Sequence, residues 1–247
     1  MRTMIAVLLL TTVAQAAPVP KLTAKEKVEA KFGGKIVAPK GDTDFKMDGD
    51  TLVVTLPAKQ VCEIRTESER FLNFRIKDNC PEVRLKEMTG DFEIEYKVTV
   101  KLSPAAKAAS KSNLSVFSGA GTRFDFKDDE TFAIAMWNYR SGDPDAKPRP
   151  GLSQVSTCNT FGFRGASRCE AHNGFREADW KIRIRFQETK VRYYCDFGKV
   201  GEQKFSAQDH EYDNTVPVKV ALIFLHASDT AHEVRIDDFK IKPIGKK

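Results

Sequence analysis

Residues 91 to 102 read Asp-Phe-Glu-Ile-Glu-Tyr-Lys-Val-Thr-Val-Lys-Leu, with an apolar side chain at every second position and mostly charged side chains between them. Because successive side chains of a β-strand point to opposite sides, this alternation predicts a strand with one face on a core and the other in water. Antiparallel sheets commonly divide their two faces in this way. The stretch therefore predicts an antiparallel sheet that packs through one face.

The same alternation recurs along most of the chain. Apolar residues flank the turn Asp48-Gly49-Asp50 and predict a hairpin there. Thr23 to Phe32 is predicted to be a short helix, with Thr23 and Glu26 forming a capping box and Gly33 ending it. Further strands are predicted near residues 61–66, 70–77, 82–88, 113–118, 122–127, 131–139, 179–187, 190–197, 200–206, 216–226 and 232–242. The predicted fold is all-β: an antiparallel two-sheet β-sandwich or jelly roll with one short N-terminal helix.

Two stretches interrupt this regular pattern. In the last strand the apolar residues Val234 and Ile236 are two positions apart, as they are on one face of a strand, whereas Phe239 follows at an odd spacing and would lie on the opposite face. This change of phase predicts a β-bulge at Asp237-Asp238. Residues 141–175 are rich in glycine and proline and show weak periodicity. We expect this segment to be a loop excursion from the sandwich, and long loops inside compact domains are commonly functional.

The N-terminus has the form of an export signal. A basic residue, the apolar run Ile5 to Leu10 and the small-x-small triplet Ala14-Gln15-Ala16 predict a signal peptide over residues 1–16. Residues 17–34 are then an N-terminal segment with the helix, and 35–247 form one sandwich domain. We expect the mature chain to be secreted or periplasmic, with no transmembrane segment.

The charge balance argues against nucleic acid as a partner. The chain has 40 Lys and Arg against 34 Asp and Glu, a formal net charge of +6. These charges alternate along strands, whereas a nucleic-acid interface gathers basic residues into one stripe. The oligomeric state is left open.

Five cysteines in an exported chain allow at most two internal disulfides. The preferred bridges are Cys62 with Cys80, between neighbouring strands, and Cys158 with Cys169, across the Gly/Pro-rich segment. Cys195 is then expected to be a buried thiol. Fully reduced cysteines are the alternative, and neither pair has the spacing of a metal site.

Three blocks in the right order resemble the concanavalin A-like lectin/glucanase superfamily, with its LamG-type jelly roll. They are Gly90 to Ile94, the pair Trp180 to Ile184 and Val191 to Lys199, and the closing Val234 to Phe239. Phe32 to Val37 is also similar to the opening of bacterial secreted domains of unknown function in this superfamily. The resemblance implies the sandwich fold and leaves lectin, hydrolase, lyase and structural roles open.

No catalytic signature accompanies the resemblance. Glucanases of this superfamily carry paired carboxylates on one strand, and the nearest candidates here are Asp91, Glu93 and Glu95. Because the opposite phase of their strand is apolar, we interpret these three as a solvated exterior face. Acidic residues from Asp125 to Glu130 are interpreted as turn residues. The four histidines show no spacing typical of zinc.

The resemblance also implies one metal site. Members of the superfamily often hold a structural calcium near the last strand, where Asp237 and Asp238 lie in this sequence. A bulged carboxylate and backbone carbonyls could supply oxygen ligands. The alternative is that these carboxylates only accept hydrogen bonds from the protein. No other cofactor is expected.

The candidate ligand-binding residues surround the glycine-rich segment, and sugars stack on aromatic rings and bond to planar polar groups. They are Trp137, Tyr139, Arg140, Arg164, Arg168 and His172. Trp137 could instead belong to the core. The expected function is a non-catalytic binding module for carbohydrate or another cell-envelope ligand. A carbohydrate-active enzyme of the same fold and a structural envelope protein are the alternatives.

Overall fold

A computed structural model describes residues 22–38, 42–59, 64–68, 71–74, 80–102, 116–126, 131–140, 150–159, 162–163, 168–173, 178–196, 203–228 and 230–245. Their elements, in chain order, are α1 (Ala24–Phe32), β1 (Lys35–Val37), β2 (Asp44–Asp48), β3 (Thr51–Leu56), β4 (Ile64–Ser68), β5 (Phe71–Phe74), β6 (Glu82–Arg84), β7 (Phe92–Leu102), β8 (Val116–Asp125), β9 (Thr131–Arg140), β10 (Pro150–Asn159), β11 (Gly162–Phe163), β12 (Arg168–Asn173), β13 (Ala178–Gln187), β14 (Lys190–Asp196), β15 (Gln203–Glu211), β16 (Lys219–Ala227) and β17 (His232–Pro243). The predicted signal peptide lies outside these ranges. Within them, no helix is long and apolar enough to cross a membrane.

The strands form two large antiparallel sheets. One is eight-stranded, with the order β1-β6-β16-β8-β9-β10-β11 and β12 also paired with β10. The other is seven-stranded, with the order β15-β14-β13-β7-β17-β3-β2. A two-stranded hairpin, β4-β5, accompanies them. The predicted all-β sandwich with one short N-terminal helix is confirmed, and so is the hairpin of β2 and β3.

The core lies between the two large sheets. From β7 it receives five side chains that are at most 1% exposed: Phe92, Ile94, Tyr96, Val98 and Val100. Across the core, the Tyr96 hydroxyl lies 2.6 Å from Thr122 Oγ1 of β8. Phe92 stacks on Phe186 at a centroid distance of 4.3 Å. Since burying one such side chain stabilises a protein by roughly 1.5–3 kcal/mol, this layer holds the sheets together.

Helix α1 begins and ends as predicted. The Thr23 side chain accepts from the Glu26 amide and the Glu26 side chain accepts from the Thr23 amide, which is the complete capping box. Gly33 ends the helix with φ 62, a left-handed conformation that glycine adopts without strain. Val28 and Phe32 are the buried residues of the helix and join the core.

The predicted bulge in β17 is confirmed. Asp237 pairs with Lys97 of β7, and the register resumes only at Lys240 opposite Glu95. Asp238 has φ 52, the left-handed conformation that aspartate tolerates better than most residues. Beyond the bulge, the Phe239 ring lies 4.9 Å from the ring of Phe32 in α1. The extra residue therefore turns an aromatic side chain towards the helix.

Two strand predictions differ from the structure. Residues 116–118 and 122–125, predicted to lie in two separate strands, belong to one strand, β8, which pairs without a break with β9 and β16. The segment 141–175, expected to be a loop, contains β10, β11 and β12, which extend the eight-stranded sheet. In both places glycine and small polar residues weaken the apolar alternation, while the backbone still pairs.

The register separates the cysteines of the second predicted bridge. Cys158 lies opposite Phe163 of β11, whereas Cys169 lies opposite Gln154 of β10. The two positions are four residues apart along β10, about 13 Å at strand spacing, and disulfides need Cα atoms within about 7 Å. This register does not bring Cys158 and Cys169 within bridging distance.

Two of the remaining three cysteines lie among the described residues. Cys80 and Cys195 are both buried. The burial of Cys195 agrees with its predicted place in the core. Cys62 lies outside the described residues, so a bridge between Cys62 and Cys80 stays a prediction.

Candidate functional site

The eight-stranded sheet has a second face that points away from the core. In β8, Thr122 and Phe124 are buried, Thr122 bonds across the sandwich and Phe124 belongs to the core. Arg123 lies between them, so strand alternation directs it to the opposite side. We call that side the outer face of the eight-stranded sheet. Arg123 is nevertheless buried.

Four charged side chains form an ion network on this outer face. In β6, Glu82 and Arg84 flank the core residue Val83 and so share the outer face with Arg123. Arg84 Nε lies 2.5 Å from Glu82 Oε1, and Arg123 Nη1 lies 2.7 Å from Glu82 Oε2. Arg123 Nε also contacts the Asp125 carboxylate at 3.2 Å. We call Glu82, Arg84, Arg123 and Asp125 the outer-face network.

The four side chains of the network differ in how far they are exposed to water. Arg84 is 58% exposed and Asp125 31%, whereas Arg123 is 9% exposed and Glu82 only 2%. Removing a charge from water costs several kcal/mol, and an apolar pair of the same volume commonly stabilises a fold as well. Stability alone therefore does not account for an ion pair placed outside the inter-sheet core, and such groups are candidates for function.

Small and aliphatic residues surround the network. On β16, Ala221, Ile223 and Leu225 alternate with core residues and are buried on the outer face. Gly119 and Gly121 of β8 lie opposite Leu225 and Ile223 in register. Buried small and aliphatic residues therefore adjoin the network on the outer face.

The described members of the six predicted ligand-binding residues do not share one face of the eight-stranded sheet, because the strand register assigns them to both phases. Trp137 pairs with Gly119, and Tyr139 shares its phase, which is that of Arg123. Arg140 and His172 both pair with Gly151 of β10 and belong to the other phase, as does Arg168 opposite Val155. Arg164 lies outside the described residues. Only the two aromatic positions are therefore in phase with the outer-face network.

A second polar cluster lies inside the sandwich. His226 of β16 and His232 of β17 are fully buried, with ring centroids 4.8 Å apart. Thr230 Oγ1 lies 3.3 Å from His232 Nε2. Burial, and then the neighbouring His232, lower the pKa of His226 from 6.5 to about 3. The two rings meet because β16 and β17 belong to different sheets and the chain crosses from one sheet to the other between them. The spacing of the histidines in the sequence did not reveal this contact.

No family model matches this chain, and neither does any curated protein. Solved structures do match. A functionally unknown protein from Saccharomyces cerevisiae is 9% identical, with 86% of this chain and 97% of that chain covered and a TM-score of 0.51. This likeness concerns the fold, the antiparallel two-sheet β-sandwich.

Two further solved structures are similar to this chain. A legume lectin-like domain from Entamoeba histolytica is 10% identical, with 93% of this chain and 100% of that one covered and a TM-score of 0.42. The exoplasmic/lumenal domain of VIP36, in a form bound to Ca²⁺ and Man3GlcNAc, is 9% identical, with 83% of each chain covered and a TM-score of 0.45. Such low identities concern the fold alone.

The acidic row at and before the start of β7 lies on the outer face of the seven-stranded sheet. Arg185 Nε contacts the Glu93 carboxylate at 3.0 Å, and Lys181 Nζ contacts Glu95 at the same distance. The hydrogen bond from Lys181 lowers the pKa of Glu95. Asp91 accepts hydrogen bonds from the loop after β15. The three carboxylates are thus occupied by neighbouring side chains on an exterior face, as interpreted from the sequence.

Asp237 and Asp238, predicted as calcium ligands, both have protein partners. Thr51 Oγ1 donates to Asp237 Oδ1. Lys97 Nζ lies 2.9 Å from Asp238 Oδ2, and this hydrogen bond lowers the pKa of Asp238. Across the described ranges, no three His, Cys, Asp or Glu side chains are grouped to hold a metal. The Asp238 carboxylate thus has a cationic partner in Lys97.

Asp125 corrects one sequence interpretation. It is the last residue of β8 and contacts Arg123, so it belongs to the outer-face network and not to a turn. The sequence did not single out Glu82, Arg84 or Arg123, because each is an isolated charge in a strand. The signal that the sequence did offer is strand alternation, which puts these charges on one face of their strands. Arg123 interrupts the run from Thr122 to Phe126, and Glu82 precedes Arg84 by two residues.

Proposed function

We propose that this protein is a non-catalytic carbohydrate-binding module and that its ligand binds on the outer face of the eight-stranded sheet, beside the outer-face network. The observation that carries this proposal is the buried contact between Glu82 and Arg123 outside the core. The N-terminal signal expected from the sequence would make the mature module secreted or periplasmic.

The chemistry of the network suits a polyhydroxylated ligand. A guanidinium group offers several donors in one plane, and a carboxylate offers several acceptors. Neighbouring hydroxyls of a sugar ring present donors and acceptors at similar spacing. Trp137 and Tyr139 share the phase of the network, and aromatic rings are the groups on which sugars stack. The sequence resemblance to the concanavalin A-like superfamily supports carbohydrate as the ligand class.

An enzyme of the same fold is the second candidate, because the network contains two carboxylates. Glu82 and Asp125 both contact Arg123, which places them within about 8 Å of each other, inside the range used by glycosidases. Both carboxylates, however, bond to guanidinium groups, whereas a catalytic pair must reach the sugar and a water molecule. This engagement supports binding over hydrolysis.

A structural envelope protein would require an apolar contact surface. Among the described residues, the one exposed large hydrophobic side chain is Leu22, before α1. Scattered single apolar residues are normal on protein surfaces, while docking surfaces are contiguous patches. The described part of the chain thus supports a polar ligand.

A glycan array followed by calorimetry on its best ligand tests the proposal. The informative variant is Arg84→Ala, since Arg84 is the most exposed member of the network. The matched control is Arg235→Ala, on the other sheet, because Arg235 Nε also contacts a glutamate two residues earlier, Glu233, at 2.7 Å. We expect Arg84→Ala to weaken binding at least about tenfold and Arg235→Ala to leave it unchanged. Equal effects of both variants would contradict the proposed site.

A double variant separates binding from folding. Replacing Glu82 and Arg123 together by methionine removes both charges while keeping similar volume. Because buried ion pairs can be replaced by apolar residues at little cost in stability, we expect a folded protein with an unchanged or higher melting temperature. Binding should be lost. A double variant that binds normally would show that the buried pair is only structural, and release of reducing sugar by the wild type would favour the enzyme.

A further inference from the structure

We propose that the seven-stranded sheet carries a second binding site, on its outer face, for an acidic polysaccharide that bears carboxylate or sulfate groups. The site consists of basic side chains on the four neighbouring strands β17, β7, β13 and β14. It lies on the other sheet from the outer-face network, so it is independent of the proposed function. The inference rests on how charge is distributed across these strands and on which of the charged groups are exposed.

Two neighbouring rows of residues hold an excess of positive charge. Residues directly opposite one another in register share one face of a sheet, so each row can be followed across the four strands. One row contains Lys242, Glu93, Arg185 and Arg192, and the next contains Lys240, Glu95, Arg183 and Tyr194. We call them the cationic rows. They hold five basic side chains against two acidic ones, a surplus of three positive charges.

The rows on either side carry no such surplus. The row on the far side of Arg183 has two charges of each sign, on Asp237, Lys97, Lys181 and Asp196. In the opposite direction, Gln187 lies opposite Lys190, and the acidic Glu188 follows Gln187 in the chain. The surplus is therefore a local property of the cationic rows and does not simply reflect the net charge of the chain.

Within the cationic rows, two arginines face each other. Arg185 of β13 lies directly opposite Arg192 of β14, and like charges in this position destabilise a sheet. The Glu93 carboxylate contacts Arg185 at 3.0 Å and Arg183 at 3.4 Å, so one carboxylate is shared by two guanidinium groups. Arg192 contacts Glu188 at 3.8 Å, and Glu188 is 72% exposed. An anionic group bound beside Arg185 and Arg192 would relieve their repulsion.

The basic groups of the cationic rows are more exposed than the carboxylates between them. Arg185 is 36% exposed and Arg192 25%, whereas Glu93 is 12% exposed. The Arg183 guanidinium lies over the ring of Tyr194, 4.0 Å from its centroid, and the two lysines are exposed. A ligand that approaches from water therefore meets positive charge first. An extended polymer can contact such side chains without entering a pocket.

The composition of the rows favours an acidic polysaccharide over a nucleic acid. A nucleic-acid interface gathers basic residues that neutralise phosphates, whereas Glu93 and Glu95 lie among the cations here. A carboxylate repels a phosphate backbone but accepts hydrogen bonds from sugar hydroxyls. An acidic sugar offers hydroxyl donors to these carboxylates and an anionic group to the guanidinium groups. The four strands span about 14 Å, which suits the repeated charges of a chain better than a single small anion.

The test is isothermal titration of the protein with polygalacturonate in about 0.15 M salt. The informative variant is Arg192→Gln. The matched control is Arg235→Gln, which removes the same charge from the same sheet, and the two arginines are 25% and 26% exposed. We expect Arg192→Gln to weaken binding about tenfold, the loss of one charge-assisted hydrogen bond, and Arg235→Gln to leave it unchanged. Equal weakening by both variants would show general charge attraction and overturn the site.

The choice of polymer tests the ligand class. Dextran sulfate carries sulfate in place of carboxylate, dextran is neutral, and duplex DNA carries phosphate. We expect binding to polygalacturonate or dextran sulfate, and the better of the two identifies the anionic group. Equal binding to dextran, or tighter binding to DNA at the same salt concentration, would overturn the inference. Failure to bind either acidic polysaccharide would overturn it too and would leave the proposed function intact, since Arg84→Ala tests that function on the other sheet.

The melting temperature separates a binding role of Arg192 from a structural one. Because Arg192 lies opposite Arg185, we expect Arg192→Gln to leave the melting temperature unchanged or to raise it. A clear decrease would show that Arg192 stabilises the sheet and would overturn the argument from repulsion. Lys242→Gln changes an exposed side chain at the other end of the same row and should also weaken binding to the acidic polymer. Unchanged binding by both variants would overturn the site.

Discussion

Acid should destabilise this protein through His226, and the structure fixes the sign of the effect. The ring is fully buried beside His232, and its pKa falls from 6.5 to about 3 in the folded state. Burial lowers the pKa most and the neighbouring His232 lowers it further, whereas hydrogen bonds with the backbone of Thr230 and Pro57 oppose the shift. Because the folded pKa is depressed, the folded protein holds the neutral ring and the unfolded chain takes up a proton first.

The magnitude follows from proton linkage. The stabilisation is fully present above pH 6.5 and is lost progressively as the pH falls from 6.5 towards 3. Each pH unit in this window costs about 1.4 kcal/mol in the free energy of unfolding. At about pH 4.5 the loss from His226 alone is therefore about 2.7 kcal/mol, a large fraction of the stability of an ordinary domain.

Urea unfolding between about pH 7 and pH 4.5, followed by the fluorescence of the buried Trp180, measures the loss. Carboxylates titrate in the same range, so the comparison is with His226→Gln, an uncharged side chain that keeps a donor. The variant should be less sensitive to acid by about 2–3 kcal/mol across this range, whatever its stability at neutral pH. Parallel curves for the two proteins would show that the folded pKa of His226 is ordinary and would refute the reasoning.

Three further outcomes are expected. Gly34→Ala should lower the free energy of unfolding by at least about 2 kcal/mol in urea titrations, because its Cβ would lie 1.8 Å from the carbonyl oxygen of Arg84. Thr23→Ala removes the helix cap and should cost about 1 kcal/mol in the same assay; no loss would mean that α1 does not need its capping box. A chelator should leave the melting temperature unchanged, because Lys97 pairs with Asp238, and a clear decrease would instead support the calcium site expected from the sequence.

The fold was predictable wherever apolar and charged residues alternate strongly. β7 and β17 carry that contrast over their whole length, and the change of phase after Ile236 revealed the bulge. Prediction failed in β8 and in β10 to β12, where glycine, serine and threonine occupy both phases. Backbone pairing needs no apolar side chain, so strands of this composition are indistinguishable from loops in the sequence.

The site was less predictable, because it depends on register between distant segments. Glu82 and Arg123 are 41 positions apart and meet only because β16 lies between their strands. The sequence led instead to Arg140 and His172, which the structure places in the other phase of the sheet from Trp137. A local pattern predicts the face on which a residue lies, but not which residue of another strand lies beside it.

The contrast between the outer faces of the two sheets is the reason for assigning function to one of them. Arg235 and Glu233 repeat the geometry of Arg84 and Glu82, but both remain partly in water, as exterior ion pairs usually do. Such pairs contribute little and need no further explanation. Glu82 has been removed from water on a face where the core does not require it, and its charge is balanced by two arginines. Since this arrangement costs desolvation that an apolar pair would avoid, the network is the part of the described surface that best supports the proposed binding site.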